Sequence, residues 1–411
     1  MFIIHLTQTD IYRSIEAYSC EFFKILHQKS IKMENFMTTK IRKMMIVAGE
    51  ASGDAHAAKV VKAIQTIQNN IYFMGFGGKA MRDAGVHIVI DSRLLSVVGI
   101  TEVFSKAHVI LKALKTAKKM IRTLRPDLLM LIDFPDFNFR LAKTAKQYGV
   151  PVLYYISPQL WAWRSGRVKF IKENVDHMAV ILPFEAPFYE THHVPVTYVG
   201  HPLMDSLITL NHHYHELTIG IMPGSREGEV IRLLPIMAKA ADQLSALYPG
   251  IRFMIPVASS LDPSFINNIL NQQTFIHNPI FQIINEGVTP IFQTCKLAIV
   301  ASGTATLETA LHQLPMIIVY KISRASYILG RLLINVPHIG LANLVAGDRV
   351  VPELVQYDAT PENIVNEASR ILDNPKVWET MKRKLKMIPK RLGPPGASFR
   401  TAEIARRLIN Q

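Results

Sequence analysis

The chain has 411 residues, of which 49% are hydrophobic, 19% are charged and two are cysteines. This length predicts two medium domains with extra segments. The apolar content excludes a disordered or collagen-like chain, and so few cysteines exclude a disulfide scaffold and fit a reducing compartment. With 46 basic and 32 acidic residues, the net charge is +14. That charge favours a negatively charged partner: nucleic acid, anionic lipid or a phosphorylated substrate.

The first forty residues carry no targeting pattern. They have no basic leader, and their apolar stretch is broken by His5, Thr7 and Asp10, so we expect no secretory signal. An uninterrupted apolar run long enough for a transmembrane helix is not found in the sequence. Because the first strong strand pattern begins at Ile41, residues 1–40 are predicted to be a poorly ordered extension or an upstream-start artefact.

Apolar, β-branched runs alternate with helical patterns along the rest of the chain. The strand candidates are 44–48, 71–75, 128–133, 152–156, 178–182, 197–199, 217–222, 253–257, 281–285, 297–301 and 316–320. The helix candidates are 55–67, 102–124, 139–147, 228–247, 305–313, 361–372, 376–388 and 397–409. Continuous apolar strands separated by helices indicate parallel sheets covered on both faces.

The pattern predicts an α/β protein with two Rossmann-like, doubly wound parallel-sheet domains that face a cleft. The predicted division is an N-terminal domain at 41–202, a linker at 203–216, a C-terminal domain at 217–388 and, at 389–411, a helix packing back across the domains. In such sheets ligands bind beyond the carboxyl ends of the strands. Functional residues are therefore expected directly after each strand.

Glu50 follows the first strand, in a loop that also contains two glycines. It is expected to lie at the mouth of the cleft. Ser52 or Asp54, a little further along, is of the type that caps the next helix. Glu50 is therefore the candidate for chemistry in this loop, whereas Asp54 is expected to be structural.

Asp133 ends a wholly apolar strand. Partial burial there would raise the pKa of its carboxyl group toward the range of a general base; a structural turn former is the alternative. Asp136 and Asn138 come just before the next helix, and both are expected to cap it. Asp133 is thus the candidate base.

Two tryptophans, Trp161 and Trp163, are followed directly by Arg164. Aromatic rings beside cations suit a sugar face and an anionic group, although core packing of at least one ring is also expected. His201 lies at the predicted hinge, where a structural role is expected more often than a catalytic one, and it is a candidate for substrate binding. Histidine pairs elsewhere lack further ligands at metal spacing, so no metal site is predicted, and no cofactor.

Two anion sites are predicted in the C-terminal half. The segment 221–228 (IMPGSREG) leads from a strand into a helix through Ser225 and Arg226, and free N–H groups with a guanidinium suit a phosphate. The segment 301–308 (ASGTATLE) repeats this arrangement with Ser302, Gly303 and Thr304. Two neighbouring anion sites favour a diphosphate ligand. Glu308 lies one turn into the helix that begins within the segment 301–308. From there it would reach a ribose hydroxyl or cap that helix.

Eight segments together resemble the bacterial lipid-A-disaccharide synthase family, inverting glycosyltransferases of the GT-B fold. They are AGEASGD (48–54), IDFPDFN (132–138), SPQLWAWR (157–164), LPFE (182–185), VGHPLMD (199–205), MPGSREGEV (222–230), ASGTATLE (301–308) and GLANLVAG (340–347). Their order is that of the family, and residues 1–40 have no counterpart. Ala342 stands where proline is expected and Thr306 where alanine is common; neither is assigned to chemistry.

The resemblance implies transfer of 2,3-diacylglucosamine from its UDP carrier to 2,3-diacylglucosamine 1-phosphate (lipid X). The product is the β-1,6-linked disaccharide 1-phosphate precursor of lipid A. The N-terminal domain would hold the acceptor and the C-terminal domain UDP-sugar, with Asp133 or, as second choice, Glu50 as base. Arg226 and the helix N-terminus at Ala305 would stabilise the departing diphosphate without a metal. Asn343, matched to a polar family residue at the cleft, is expected to bind donor sugar or phosphate.

Acylated substrates imply contact with a membrane. The helix predicted at 102–124 interleaves apolar and basic residues, which is typical of an interfacial helix on anionic lipid; a surface helix with a solvated basic face is the alternative. Val103, Phe104, Ile110 and Leu111 are expected to add exposed apolar surface. A peripheral protein on the cytoplasmic face of a Gram-negative inner membrane is predicted, and the oligomeric state stays open to a homodimer.

Two other functions compete with this interpretation. One is another UDP-sugar transferase of the GT-B fold that acts on a lipid-linked acceptor, against which the WAWR and PGSREGEV segments argue. The other is a basic nucleic-acid-binding protein without catalysis. We expect no nucleic-acid partner, because the sequence has neither zinc-finger spacing nor an RNP motif.

Overall fold

The computed structural model describes residues 40–95, 100–163, 165–208, 210, 217–258, 261–323, 327 and 337–411. The side chains of 100–107, 162, 163 and 165 are outside this description. The predicted extension and 211–216 of the predicted linker also lie outside the described residues. Two α/β lobes make up the described part of the chain, each built on one parallel sheet.

The first sheet has seven parallel strands in the described residues, in the order β3-β2-β1-β4-β5-β6-β7. They are β1 (Arg42–Ala48), β2 (Ile71–Gly77), β3 (His87–Asp91), β4 (Leu128–Ile132), β5 (Val152–Tyr155), β6 (His177–Val180) and β7 (Val196–Tyr198). Alternate residues of β1 enter different cores: Met45 lies in one cluster and Met44 in the other. Both faces are therefore covered, which explains the continuous apolar strands.

The helices of the first lobe pack on these two faces. They are α1 (Ala51–Ile67), α2 (Lys79–Asp83), α3 (Ile100–Leu124), α4 (Pro135–Gln147), α5 (Leu160–Trp163), α6 (Val168–Asn174) and α7 (Glu185–Glu190). Short 3₁₀ helices lie at Ser92–Leu94, Ser165–Arg167 and Pro202–Ser206. Among the described residues, no helix is both long and apolar enough to cross a bilayer.

The second sheet has six strands in the residues that the structure describes, in the order β10-β9-β8-β11-β12-β13. They are β8 (Thr218–Met222), β9 (Arg252–Pro256), β10 (Ile280–Ile284), β11 (Leu297–Ala301), β12 (Met316–Tyr320) and β13 (Glu353–Val355). In both sheets the strand order reverses direction beside the first strand, β1 or β8, and α/β folds bind ligands at such points.

The helices after β8 complete the second lobe and then return to the first. They are α8 (Glu227–Leu247), α9 (Pro263–Asn271), α10 (Thr289–Thr294), α11 (Thr304–Leu311), α12 (Leu341–Ala346), α13 (Pro361–Leu372), α14 (Pro375–Leu385), α15 (Ile388–Arg391) and α16 (Ala397–Ile409). Leu408 and Ile409 of α16 join a core cluster of the first lobe. Asp205 fixes the start of α16 by accepting hydrogen bonds from the N–H groups of Gly396, Ala397 and Ser398 at 2.6, 3.0 and 3.1 Å.

Asp54 caps a different helix from the one predicted. Helix α1 already begins at Ala51, so Asp54 lies within its first turn. The buried carboxylate instead accepts hydrogen bonds from the N–H groups of Gly78, Ala80 and Met81, at 2.6, 2.9 and 3.1 Å. It therefore ties the start of α2 to the first turn of α1.

The predicted fold class is confirmed, since both halves are doubly wound parallel sheets. The predicted helix at 376–388 is two helices, α14 and α15, the second of which begins with Pro389 in its first turn. A proline lacks the N–H that would continue the first helix. The residue limits of the predicted domains stay a prediction.

Candidate functional site

A cleft of about 620 Å³ lies between the lobes, at the carboxyl ends of the central strands of both sheets. The first lobe contributes Glu50, His56, Asp133 and His201 to its wall, and the second contributes Ser225, Arg226, Ser302, Gly303, Thr304 and Glu308. Residues from five separate predicted segments thus meet in one cavity. The expectation that Asp133 and Arg226 share a crevice agrees with this geometry.

Glu50 and Arg226 face each other across the cleft. One guanidinium nitrogen, Nη2 of Arg226, donates to both carboxylate oxygens of Glu50 at 3.1 Å. Gly49, just before Glu50, packs against the ring of Phe134 so closely that any added Cβ would overlap it. The glycine therefore brings the loop that carries Glu50 close to the end of β4.

Asp133 sits in a backbone conformation that few residues adopt. Its φ angle is 45° and that of Phe134 is 49°, two successive left-handed residues without a glycine. The amide of Asn138 and the hydroxyl of Tyr154 both donate to the main-chain carbonyl of Asp133, at 2.7 Å each. Asn138 is fully buried and so holds this turn rather than capping α4 as predicted.

The surroundings of Asp133 raise the pKa of its carboxyl group to about 6. Burial is the largest cause, and the negative charge of Glu50 is the next. A hydrogen bond from the Phe134 N–H and the charge of Arg226 act in the opposite direction. A carboxylate with this pKa is mostly ionised at neutral pH and still basic enough to accept a proton.

Arg226 occupies the N-cap position of α8. Its side chain is about half exposed and also approaches Glu229, with 3.7 Å between Nη1 and Oε1. Gly224, two residues before it, has a φ of +116°, and a Cβ there would meet the Glu229 carboxylate. The loop therefore presents a guanidinium and the start of a long helix to the cleft, which together favour an anion.

The second anion element is the start of α11. Thr304 and Ala305 form its first turn and line the cleft with Ser302 and Gly303. N–H groups in a first helical turn have no acceptor within the helix, so these are available to a ligand. Glu308 lines the same cavity, and burial raises the pKa of its carboxyl group.

His201 is buried, and its Nδ1 accepts a hydrogen bond from the N–H of Leu203 at 3.2 Å. Burial lowers its pKa to about 3, so the ring is neutral at physiological pH. His56 was missed in the sequence; it also lines the cleft, and burial lowers its pKa to about 4. The available signal was its helical spacing from Ser52 and Gly53, on the face of α1 that meets the cleft.

Asn343 does not line the cleft, so the prediction that it binds donor sugar or phosphate is wrong. The side chain is fully buried. Its Oδ1 accepts from the N–H groups of Val350 and Val351 at 2.8 and 3.0 Å, and its Nδ2 donates to the Val351 carbonyl and to Glu353 at 2.9 and 2.8 Å. The oxygen and the nitrogen of the side-chain amide thus each make two hydrogen bonds within the protein, and Asn343 holds the loop before β13.

Trp161 is fixed by Glu185 of the LPFE segment. Its Nε1 donates to Oε1 of Glu185 at 3.3 Å, while Oε2 accepts from the N–H groups of Ile181 and Leu182 at 3.1 and 2.9 Å. The Glu185 carboxyl group is buried, which raises its pKa to about 7. The side chains of Trp163 and Arg164 lie outside the described residues, so their predicted role in acceptor binding stays a prediction.

The predicted membrane residues of α3 differ in their surroundings. Leu111 is 51% exposed, as expected. Ile110 is partly buried and packs against a core cluster of the first lobe, so it adds less apolar surface than expected. The side chains of Val103 and Phe104 lie outside the described residues.

Within the described ranges, no three His, Cys, Asp or Glu side chains come together in a way that could hold a metal ion. The prediction of a reaction without a metal or cofactor is not tested by this observation and stays a prediction. The described residues thus bring a carboxyl group of raised pKa, a guanidinium and the start of a helix into one cavity.

Comparison with known proteins gives the family. A family model described as lipid-A-disaccharide synthetase matches residues 44–394. A curated lipid-A-disaccharide synthase from Geobacter sulfurreducens is 44% identical over 379 residues, 90% of this chain and 98% of the relative. Another, from Geobacter metallireducens, is 45% identical over 384 residues, which are 91% of this chain and 99% of the relative.

Solved structures of lower identity share the fold. The UDP-GlcNAc 2-epimerase from Neisseria meningitidis bound to UDP-GlcNAc superposes with a TM-score of 0.61 at 14% identity, covering 90% of this chain and 100% of that one. The S. aureus MnaA–UDP co-structure has a TM-score of 0.63 at 13% identity, covering 90% and 97%. At these identities the likeness concerns the fold alone.

Proposed function

The chain belongs to the lipid-A-disaccharide synthase family of glycosyltransferases, and from that premise we propose how its cleft performs the transfer. The donor is UDP-2,3-diacylglucosamine and the acceptor is lipid X. The products are UDP and the β-1,6-linked disaccharide 1-phosphate. The observation that carries the proposal is that one cleft is lined by both a part-buried carboxylate, Asp133, and a cation, Arg226.

Asp133 is the base of a single displacement. As the acceptor 6-oxygen attacks the anomeric carbon, its proton passes to the Asp133 carboxylate. The new C–O bond forms on the face opposite the departing UDP, so the configuration inverts. The raised pKa of Asp133, about 6, suits a group that must be ionised before the step and protonated after it.

Arg226 and the start of α11 receive the leaving group. The bond from the anomeric carbon to the β-phosphate oxygen breaks, and negative charge grows on the diphosphate. A guanidinium and several N–H groups oriented in advance stabilise that charge at little reorganisation cost. Arg226 already carries a carboxylate partner, Glu50, in the structure, and the diphosphate would take over this position.

Membrane contact through α3 accompanies this proposal, because both substrates carry acyl chains. Leu111 is exposed on a helix with four further cationic residues after Lys112, whose Nζ is buried; they are at 115, 118, 119 and 122. An apolar side chain among cations suits the surface of an anionic bilayer. We place the enzyme as a peripheral protein on the cytoplasmic face of the inner membrane.

Product analysis tests the reaction. Purified protein mixed with UDP-2,3-diacylglucosamine and lipid X is expected to give a disaccharide 1-phosphate, separated by thin-layer chromatography, and one UDP for each disaccharide. Plain UDP-N-acetylglucosamine offered in place of the acylated donor is expected to react poorly. Preferential use of the plain donor with a different lipid-linked acceptor would support the alternative GT-B transferase and refute this assignment.

The pH dependence of turnover tests the electrostatics around the base. In the free enzyme kcat/KM is expected to fall as the pH drops through about 6, the pKa of Asp133, because the protonated group cannot accept a proton. Glu50→Gln removes the neighbouring negative charge, which lowers the pKa of Asp133. The acidic limb of the pH–rate profile, where kcat/KM falls, is therefore expected to move to lower pH.

Glu50→Gln also distinguishes Asp133 from Glu50 as the base. If Glu50 were the base, Glu50→Gln would abolish turnover at every pH instead of shifting the limb. Glu173→Gln, an exposed carboxylate on α6 in the same lobe, is the matched control and is expected to leave the profile unchanged.

A further inference from the structure

A basic surface on the second lobe has no part in the reaction proposed above. Residues 376–391 carry seven cationic side chains and one acidic one. The cations are Lys376, Lys382, Arg383, Lys384, Lys386, Lys390 and Arg391, and the acid is Glu379. We call this region, formed by α14 and α15, the α14–α15 surface. Its excess of six positive charges is more than two-fifths of the net charge of +14.

The α14–α15 surface is amphipathic. Met381, Leu385 and Ile388, spaced at four and three residues, are buried in the core of the second lobe. The cations between them point away from that core, and most are exposed. Met387 lies among these cations with 48% of its surface exposed. The outer face therefore combines positive charge with an accessible apolar side chain.

Little of this charge is neutralised within the protein. Lys384 pairs with Asp348 at 3.1 Å, and Arg391 donates to the main-chain carbonyls of Val345 and Ala346. Among the residues that the structure describes, Arg383, Lys386 and Lys390 form neither an ion pair nor a side-chain hydrogen bond. Three exposed cations are thus free to meet an external anion.

A groove of about 570 Å³ opens beside these helices. Its lining includes Arg349, Arg370, Lys376 and Lys384. Glu367 offsets part of this charge, since it accepts from Arg370 at 2.7 Å. Cations around a concave surface of this size suit phosphate groups, which are the anionic part of a phospholipid headgroup.

We propose that the α14–α15 surface docks the second lobe onto an anionic phospholipid bilayer. Dispersed cations add comparable increments of attraction to such a surface, and Met387 supplies an apolar group for the interface. The proposal rests on the proposed function only in assuming that acylated substrates keep the enzyme at a membrane. The contact lies on the other lobe from α3 and adds to it.

The same surface is less suited to nucleic acid. Single-stranded nucleic acid is bound by bases stacking on aromatic rings, and the aromatic residue of this segment is occupied. The indole Nε1 of Trp378 donates to the main-chain carbonyl of Lys296 at 2.8 Å, and Lys382 covers its ring with Nζ 4.9 Å from the centroid. No platform for stacking is left at Trp378.

Co-sedimentation with vesicles tests the docking. The full chain is expected to bind phosphatidylcholine vesicles that contain phosphatidylglycerol, weakly or not at all those without it, and less as salt rises. The variant Arg383→Gln/Lys386→Gln/Lys390→Gln is expected to bind the anionic vesicles at least about tenfold more weakly, since each lost cation removes part of the attraction. Its far-UV circular dichroism is expected to be unchanged.

A matched variant removes the same charge elsewhere. Lys62→Gln/Lys172→Gln/Lys239→Gln changes three exposed lysines on other helices and is expected to bind anionic vesicles within about twofold of the unchanged protein. Equal loss in both variants would mean that net charge alone drives binding, which overturns the proposal. So would undiminished vesicle binding by the first variant, or loss of binding to polyuridylate RNA with vesicle binding intact.

Turnover separates this proposal from the proposed function. With substrates dispersed in detergent, the first variant is expected to form disaccharide at the normal rate, because none of its three changes lies in the cleft. If the unchanged protein formed no disaccharide but still bound anionic vesicles through this surface, the reaction would be refuted and the docking site supported.

Discussion

Asp133→Asn is expected to lower kcat by about 1000-fold, within the range that general bases contribute. Asparagine keeps the size of the side chain and tolerates a left-handed backbone, so the φ of 45° at this position does not prevent folding. The affinity for UDP is expected to stay the same or rise slightly, because one negative charge near the diphosphate is removed. Single-turnover kinetics and calorimetric titration with UDP measure the two quantities.

Asp136→Asn is the control for that variant. Asp136 lies three residues further on, is exposed, and pairs with Arg167 at 2.9 Å. An exposed ion pair contributes little, so kcat is expected to stay within about twofold of normal. Near-normal turnover in Asp133→Asn would show that another group takes the proton, and Glu50 would then be the first to examine.

Arg226→Ala is expected to weaken UDP binding by about 10- to 100-fold, as expected for the loss of a charged hydrogen-bonding group. A further fall in kcat is expected because the charge that grows on the diphosphate loses its cation. The side chain makes no capping hydrogen bond to α8, so the thermal unfolding temperature is expected to change little. UDP titration and steady-state kinetics give the two effects separately.

Arg226→Ala is also expected to shift the pH dependence of kcat/KM, in the direction opposite to the shift expected for Glu50→Gln. Arg226 lowers the pKa of Asp133 and Glu50 raises it, so without Arg226 the pKa of Asp133 rises and the acidic limb moves to higher pH. Arg93→Ala, which removes an exposed guanidinium paired with Asp91, is the control and is expected to alter neither binding nor the limb. Unchanged UDP affinity in Arg226→Ala would refute the anion site.

The fold could be predicted because its strands are buried on both faces. β4 and β11 are apolar throughout, and such runs stand out in a sequence. β3 (His87–Asp91) was missed because it lies at a sheet edge and carries an exposed histidine. Short helices such as α5 and α12 were missed because one or two turns do not build up a helical period.

Asp133 and Arg226, two of the charged residues that line the cleft, could be predicted because a rule about strand ends says where to look. Errors arose where a polar side chain bonds the backbone of another segment. Asp54 binds residues 78–81, and Asn343 binds residues 350–353. Nothing in the local sequence separates such a side chain from one that meets a ligand, since both are polar residues beside a turn. His56 was missed for the converse reason, as it lies within a helix.

The position of α16 has a consequence for folding during synthesis. The ribosome completes β7 roughly 200 residues before α16, and at bacterial elongation rates that delay is on the order of 10 to 40 s. During this time the face of the first sheet that Leu408 and Ile409 later cover stays exposed on the nascent chain. The first lobe to be translated is therefore the last to be completed, and a chaperone has its longest opportunity to act on that lobe.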